Sequence, residues 1–341
     1  MQSELFTGPR LAGDLRKFLS AHRPAALALA TQAIERGVET VYYTGSGGSW
    51  SAMYSGKYLS DRFTTLGSDA VLSYELIWRN PVRLGPRALV FAASYSGETE
   101  DTVAALRHAR DSGASTVGLT NRADSTIATE AERAIAYGST ALYAMPMAAV
   151  SLFALEHARL SGNEAAAEVL AGFDALPAAI ERAFESERDN GLEVARRLLS
   201  SQVLYCIGAG PLYGLAYKFA LTVFMENIRT HGSVIESAEL RHGPFEMLER
   251  QRADMVFLLG SDESRAMTQR SIDFARSQGA AVVVYDAADY DDVHPLLSPF
   301  VLKVALQWLV VHSALLRGIL DLDERVYMGH QLLAQGGARW P

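Results

Sequence analysis

The sequence predicts an α/β protein with two parallel sheets, each covered by helices. Three observations lead there. Short β-rich runs alternate with helical segments along most of the 341 residues, the order that produces parallel strands with helices on both faces. The series strand, Gly-rich turn, helix, strand, helix, strand occurs in each half of the chain. The run ALVFAAS, residues 88–94, is continuously apolar, as a strand buried on both faces requires. The length suits about two domains. We expect domains at 25–165 and 195–341, with a helical linker at 166–194 between them.

The elements follow in order. PAALALATQAIER (24–36) reads as a helix stopped by Gly37. The β-rich run Val41 to Tyr43 ends in the glycine cluster GSGGS, and SAMYSGKYLSDRF (51–63) continues with helical spacing. AVLSYELI (70–77) is expected as the second strand, followed by a loop with Pro81 and Pro86. After ALVFAAS and the loop SYSGETE comes an amphipathic helix, DTVAALRHARDSG, closed by Gly113. STVGLTN (115–121) is a strand and STIATEAER a short helix. Helical material fills 140–200, with breaks at Gly162, Gly172 and Pro177. The second half runs QVLYCIGAG (strand), PLYGLAYKFALTVFMENI (helix), MVFLLG (strand), SRAMTQRSIDFARSQG (helix), AAVVVYD (strand) and FVLKVALQWLVVHSALLRG (helix).

Composition narrows the function. The chain is 49% hydrophobic and 21% charged, as ordinary globular domains are. Its net charge of −8 argues against a nucleic-acid partner, which calls for a basic patch. The single cysteine, Cys206, permits no intramolecular disulfide and reads as a core residue. No clustered ligands suggest a metal, and no cofactor is expected. The N-terminus lacks the apolar core of a signal peptide. The apolar stretch 301–320 contains Lys303, Gln307, His312 and Arg317, so it reads as a buried core helix rather than a membrane span. A cytoplasmic protein without a membrane partner is expected.

Two loops carry the chemistry. Ligands of such sheets bind at the carboxyl ends of the strands, where both GSGGS and SYSGETE fall. Glycines let a backbone approach a ligand, and a helix N-terminus offers free N–H groups to an anion. The first loop is not a nucleoside triphosphate loop, because GxxxxGK[ST] is absent. It is not a dinucleotide fingerprint either, since Trp50 stands where the third glycine belongs. Ser49 and Thr99 are, singly, equally readable as helix caps. Two hydroxyl-rich loops at one sheet edge point instead to a small polyanion such as a phosphomonoester.

At this point a family resemblance appears. SYSGETEDT (94–102) resembles the SxSGxTxDT phosphosugar loop of sugar isomerase (SIS) domains, and GSGGS resembles their first loop. ESAELRHGPFEML (236–248) resembles the E-L-[KR]-H-G-P element of the isomerase half of glucosamine-6-phosphate synthase and of the fructosamine-6-phosphate deglycases. The resemblance runs from about residue 25 to the end. It implies two tandem SIS domains, each a three-layer α/β/α, flavodoxin-like unit. It also implies phosphate binding by Ser49, Ser94, Ser96 and Thr99, helped by the backbone at Gly47, Gly48, Tyr95 and Gly97. Glu226 in FMENI matches the general base and His242 in LRHGP the ring-opening histidine. Apart from the family, Glu226 could be a solvated turn residue or a partner of Arg229, and His242 a structural turn residue. The family completes its site across a dimer interface, so a homodimer is expected.

Departures from the synthase choose the reaction. There is no glutaminase domain and no N-terminal cysteine, Val223 replaces a lysine one turn before the glutamate, and DLDERVYMGHQLLAQGG replaces a lysine-bearing tail. The segment DERVYMG (323–329) resembles the -RRYMG- of the deglycases. The resemblance thus implies a deglycase of a 6-phosphorylated Amadori compound, releasing a hexose 6-phosphate and an amine or amino acid. A glucosamine-6-phosphate deaminase or isomerase is the alternative within the fold. A non-catalytic phosphosugar-binding regulator is the alternative of another class, against which the first ~25 residues are too few for a DNA-binding helix-turn-helix.

Overall fold

A computed structural model describes residues 6–250 and 252–324 of the chain. They form two compact units. One comprises Arg10–Ala179 and Asp292–Leu297; the other comprises the residues up to Pro9, Ile180–Asp291 and those from Ser298 on.

The unit of Arg10–Ala179 begins within helix α1 (Gly8–Glu35). It is longer than the expected 24–36 because Pro24 lies inside it, exposed. Leu15, Phe18 and Leu19 before the proline and Ala26, Leu29 and Ala30 after it form one buried stripe. That stripe offsets the lost N–H. The sheet elements follow as β1 (Thr40–Gly45), α2 (Gly48–Phe63), β2 (Gly67–Leu72), α3 (Ser73–Arg79), β3 (Ala88–Ala93) and α4 (Glu100–Asp111). Then come β4 (Ser115–Thr120), α5 (Thr126–Glu130), β5 (Arg133–Ala136), α6 (Ala144–Leu160) and α7 (Ala165–Gly172).

All five strands are parallel, in the order β2-β1-β3-β4-β5, the flavodoxin order. Every residue of β1 and β3 is buried. Successive side chains of a strand point to opposite faces, and both faces are covered. Tyr43 and Phe91 stack at 5.4 Å, with Phe153 of α6 at 4.9 Å from Phe91. Tyr42 and Val90 join the opposite cluster, with Leu76 of α3 and Ala105 and Ala109 of α4. The expected strand 70–77 ends at Leu72. Ser73 and Leu76, both fully buried, are three apart and occupy one face of a helix instead. β5 is a short edge strand whose Arg133 and Ala134 are exposed, which leaves little pattern to read.

In the other unit, α8 (Leu176–Arg197) leads to β6 (Val203–Gly208), α9 (Tyr213–Tyr217), α10 (Phe224–Glu226) and β7 (His231–Glu236). Next come β8 (Asp254–Leu259), α11 (Arg265–Ser277), β9 (Ala281–Asp286) and α12 (Ser298–Leu316). The strands are parallel in the order β7-β6-β8-β9, the first sheet's order less one strand. Cys206 is fully buried, and burial pushes its thiol well above its ordinary range.

The helix expected over 211–228 is broken into a 3₁₀ turn, α9, a π-helical stretch Lys218–Val223 and α10. The next strand packs closely against the break: a Cβ on Gly232, at the start of β7, would stand 2.0 Å from the Ala220 carbonyl oxygen, so position 232 admits no side chain beside this turn. π-turns inside helices recur at functional sites, and this one leads directly into Glu226.

One helix among the described residues, Pro295–Leu316, is long and apolar enough to cross a membrane, and 72% of that window is buried inside the protein. Two of its polar residues bond inward: Trp308 Nε1 donates to the Phe184 carbonyl at 2.7 Å and Lys303 Nζ to Thr7 Oγ1 at 3.1 Å. Burial, with the charge of nearby Lys218, lowers the Lys303 ammonium to about 7. An unfolded chain holds that proton up to about pH 10.4. The charged form is therefore penalised most below pH 7, and the penalty fades as pH rises from 7 towards 10. Lys303→Met is expected to raise the melting temperature by at least ~2 °C at pH 6 and by less at pH 9.5, read by paired thermal melts. An equal effect at both pH values would contradict this.

Candidate active site

Strands β1 and β3 are neighbours, with Gly45 opposite Ala93. β1 continues to β2 on one side while β3 lies on the other, so the two loops leave the sheet at its switch point. That crevice is where open α/β sheets hold ligands.

The second loop is tightly built. Ser94 extends the ladder by donating its N–H to the Leu119 carbonyl at 3.0 Å. Gly97 N then donates back to the Ser94 carbonyl at 3.2 Å and to Ser94 Oγ at 3.0 Å, so this amide serves the loop itself. Gly97 has φ +71°, in the left-handed region. The Glu98 carboxylate accepts Thr126 Oγ1 at 2.6 Å and Thr126 N at 2.8 Å, and these bonds hold it below the usual carboxylate range. Asn121 N donates to the Tyr95 carbonyl and Ile127 N to that of Gly97, both at 3.0 Å. The outcome is a chain of hydroxyls: Ser96 Oγ, Ser94 Oγ and Thr99 Oγ1 are linked at 3.4 and 2.7 Å. Ser94 is buried at the base, while Ser96 and Thr99 are exposed. Thr99 is the N-cap residue of α4 but makes no side-chain capping bond. Its hydroxyl faces Ser94.

In the first loop Gly47 (φ 53°) is the N-cap of α2, without a side-chain cap, and Gly48 and Ser49 form that helix's first turn. Ser49 lies inside the helix, so it is no cap either, and is half-buried. Two candidate anion cradles, each a hydroxyl group at a helix N-terminus, thus stand side by side.

The sequence reading missed a side-chain network joining them. The Ser46 hydroxyl donates to Asp101 Oδ2 and lies 3.3 Å from Ser73 Oγ. Ser73 Oγ is 3.0 Å from Thr102 Oγ1, and Thr102 N donates to Asp101 Oδ1 at 2.8 Å. Ser73 and Thr102 are fully buried. The only signal was the Asp-Thr that ends SYSGETEDT.

Glu226 and His242 belong to the other unit. Glu226 is the last residue of α10 and half-buried. Val223 closes the π-turn three residues earlier. Arg229 pairs with Glu324 at 2.8 Å. His242 ends the 3₁₀ turn Glu239–Arg241, exposed, ahead of Gly243 at φ 130°. Its Nε2 accepts from Arg241 Nε at 3.1 Å. Glu226 lies just before the amino end of β7 and His242 just after the carboxyl end. A strand of that length spans about 17–20 Å. Of DERVYMG, only Asp323 and Glu324 lie within the described residues.

Known proteins match this picture. The SIS domain family model matches residues 34–156. The chain is 33% identical over 318 residues to fructoselysine 6-phosphate deglycase of Escherichia coli (strain K12), covering 93% of each protein. It is 33% identical over 282 residues to a fructosamine deglycase of Bacillus subtilis (strain 168), covering 79% of this chain and 85% of that one. In fold it matches the C-terminal domain of glucosamine-fructose-6-phosphate aminotransferase from Francisella tularensis, with TM-score 0.80 and 19% identity over 92% and 95% of the two chains. The repeated flavodoxin-order sheet, the serine loop at its switch point and this likeness over nearly the full length agree: the chain belongs to the SIS-domain family that includes the fructoselysine 6-phosphate deglycases.

Proposed function

We propose that the protein is a deglycase that cleaves a 6-phosphorylated Amadori compound into a hexose 6-phosphate and a free amine or amino acid. The observation that carries this is the hydroxyl chain Ser96–Ser94–Thr99 beside the Gly47–Ser49 turn, in a chain related along 93% of its length to a protein named for this reaction. The phosphate lies between the two helix N-termini and takes hydroxyl donors from Ser49, Ser94, Ser96 and Thr99. Neutral donors suffice for a dianion there, in keeping with a net charge of −8.

His242 assists opening of the sugar ring. Glu226 removes a proton from carbon 1 and returns one to carbon 2 through an enaminol, which turns the carbon 1–nitrogen bond into an imine. Water adds to the imine, and the carbon–nitrogen bond breaks to leave the aldehyde and the amine. The reaction is thus an isomerisation completed by hydrolysis. Because Glu226 and His242 attach to opposite ends of β7, we assign them to one substrate through a homodimer, each protomer supplying one of the two. A charged sugar phosphate suits a cytoplasmic enzyme.

The test is a coupled assay for glucose 6-phosphate release from a panel of fructosamine 6-phosphates with different amines. Release from at least one is expected. No release from any, with deamination of glucosamine 6-phosphate, would replace the deglycase by the deaminase. Tight binding of sugar phosphates with neither reaction would leave a regulator.

A further inference from the structure

We infer that Asp101 is a positioning residue that holds the two loops of the phosphate cradle in register. This rests on the phosphate reading above. Each loop is anchored within its own strand and helix, but the donors of both must converge on one small anion. Asp101 supplies a link between them. It stands in the first turn of α4, directly after the serine loop, and one of its carboxylate oxygens accepts the Ser46 hydroxyl of the first loop. The other accepts the N–H of Thr102, which fixes the carboxylate on its own helix. Ser73, fully buried at the start of α3, touches both Ser46 and Thr102 through its hydroxyl, so the latch closes on a third element.

Two consequences follow. The single proton of the Ser46 hydroxyl is committed to the carboxylate, so Ser46 is not a phosphate donor although it lies in the glycine loop; Ser49, three residues further on, is. A carboxylate beside a dianion is also unfavourable unless something holds it. The positive end of α4 does so in part, and the Ser46 hydroxyl and Thr102 N–H screen it further.

The experiment uses the full chain and fructose 6-phosphate as probe, by titration calorimetry, with steady-state kinetics on a cleaved fructosamine 6-phosphate. Asp101→Ala is expected to weaken fructose 6-phosphate about 10–100-fold, the effect of one lost charged hydrogen bond, and to raise KM with kcat within about threefold. Asp101→Asn, which keeps an acceptor for Ser46 but turns an NH2 towards the Thr102 N–H, is expected to weaken binding by less than Asp101→Ala does. Ser46→Ala should weaken binding in the same direction, and the double variant Asp101→Ala/Ser46→Ala should be no weaker than Asp101→Ala alone, since coupled partners are not additive. A stability loss shared by all the variants would not produce the Asn rescue or the non-additivity. Wild type that binds fructose 6-phosphate while Asp101→Ala binds it equally, or additive losses in the double variant, would overturn the latch. Wild type that does not bind fructose 6-phosphate would overturn the phosphate reading beneath it, and the latch with it.

Discussion

Glu226→Gln is expected to lower turnover of a fructosamine 6-phosphate about 10²–10⁴-fold, the usual contribution of a general base. Fructose 6-phosphate affinity should remain within about threefold, because the role proposed for the carboxylate is at carbon 1 and carbon 2, apart from the proposed phosphate donors. Glutamine keeps the shape of the side chain at the end of α10 and removes its charge and its ability to take a proton. His242→Ala should cost less with a substrate already held open-chain than with the ring form, since its assigned step is ring opening. Mixing the two inactive variants gives a sharper readout. If the site is shared across a homodimer, heterodimers of Glu226→Gln with His242→Ala contain one site with both residues intact, and activity should return to about a quarter of the wild-type level at equal mixing with free exchange of protomers, by simple combination of the shared sites. Mixtures as inactive as either parent would contradict the shared site. A Glu226→Gln enzyme with unchanged kcat would remove the glutamate from the mechanism.

Much of this architecture could be anticipated because the decisive segments are locally self-consistent. β3 is apolar throughout and is buried throughout. The loops that follow β1 and β3 combine glycine and hydroxyls in a pattern with few other uses. The failures are places where a distant residue decides. Leu72, Tyr74 and Leu76 alternate as a strand would, yet Ser73 is drawn into the core beside Thr102 and the segment from Ser73 becomes α3. The π-turn at Lys218–Val223 carries the Ala220 carbonyl against Gly232 of a later strand; no periodicity within the helix announces it. Asp101 looks like any acid favoured at a helix start, and only its position beside Ser46 distinguishes it. Thr99 has the residue type and position of a helix cap, yet its hydroxyl is 2.7 Å from Ser94. The side chain that would have capped α4 became part of the hydroxyl chain.

Gly97→Ala should abolish high-affinity phosphosugar binding. At φ +71° a side chain costs roughly 1–2 kcal/mol in backbone strain. The added methyl would also stand 2.1 Å from Ser125 Oγ, 2.3 Å from Ser125 Cβ and 2.7 Å from Thr120 Oγ1. Both neighbours are fully buried, and Ser125 is held by its bond to the Arg122 carbonyl at 2.9 Å, so neither can swing aside. Overpacking of this kind costs about 1–3 kcal/mol. The loop can relieve the combined strain only by lifting off Ser125, which breaks the Gly97 amide's bonds to Ser94 and disperses the three hydroxyls. Affinity for fructose 6-phosphate is therefore expected to fall at least ~100-fold, the equivalent of about 2.7 kcal/mol, with a lower melting temperature. Adding Ser125→Gly removes the nearest atoms but leaves the φ strain, so the double variant should recover part of the affinity and not all of it. Full recovery would mean that the clash alone matters, and unchanged affinity in Gly97→Ala itself would mean that the loop's conformation does not hold the phosphate.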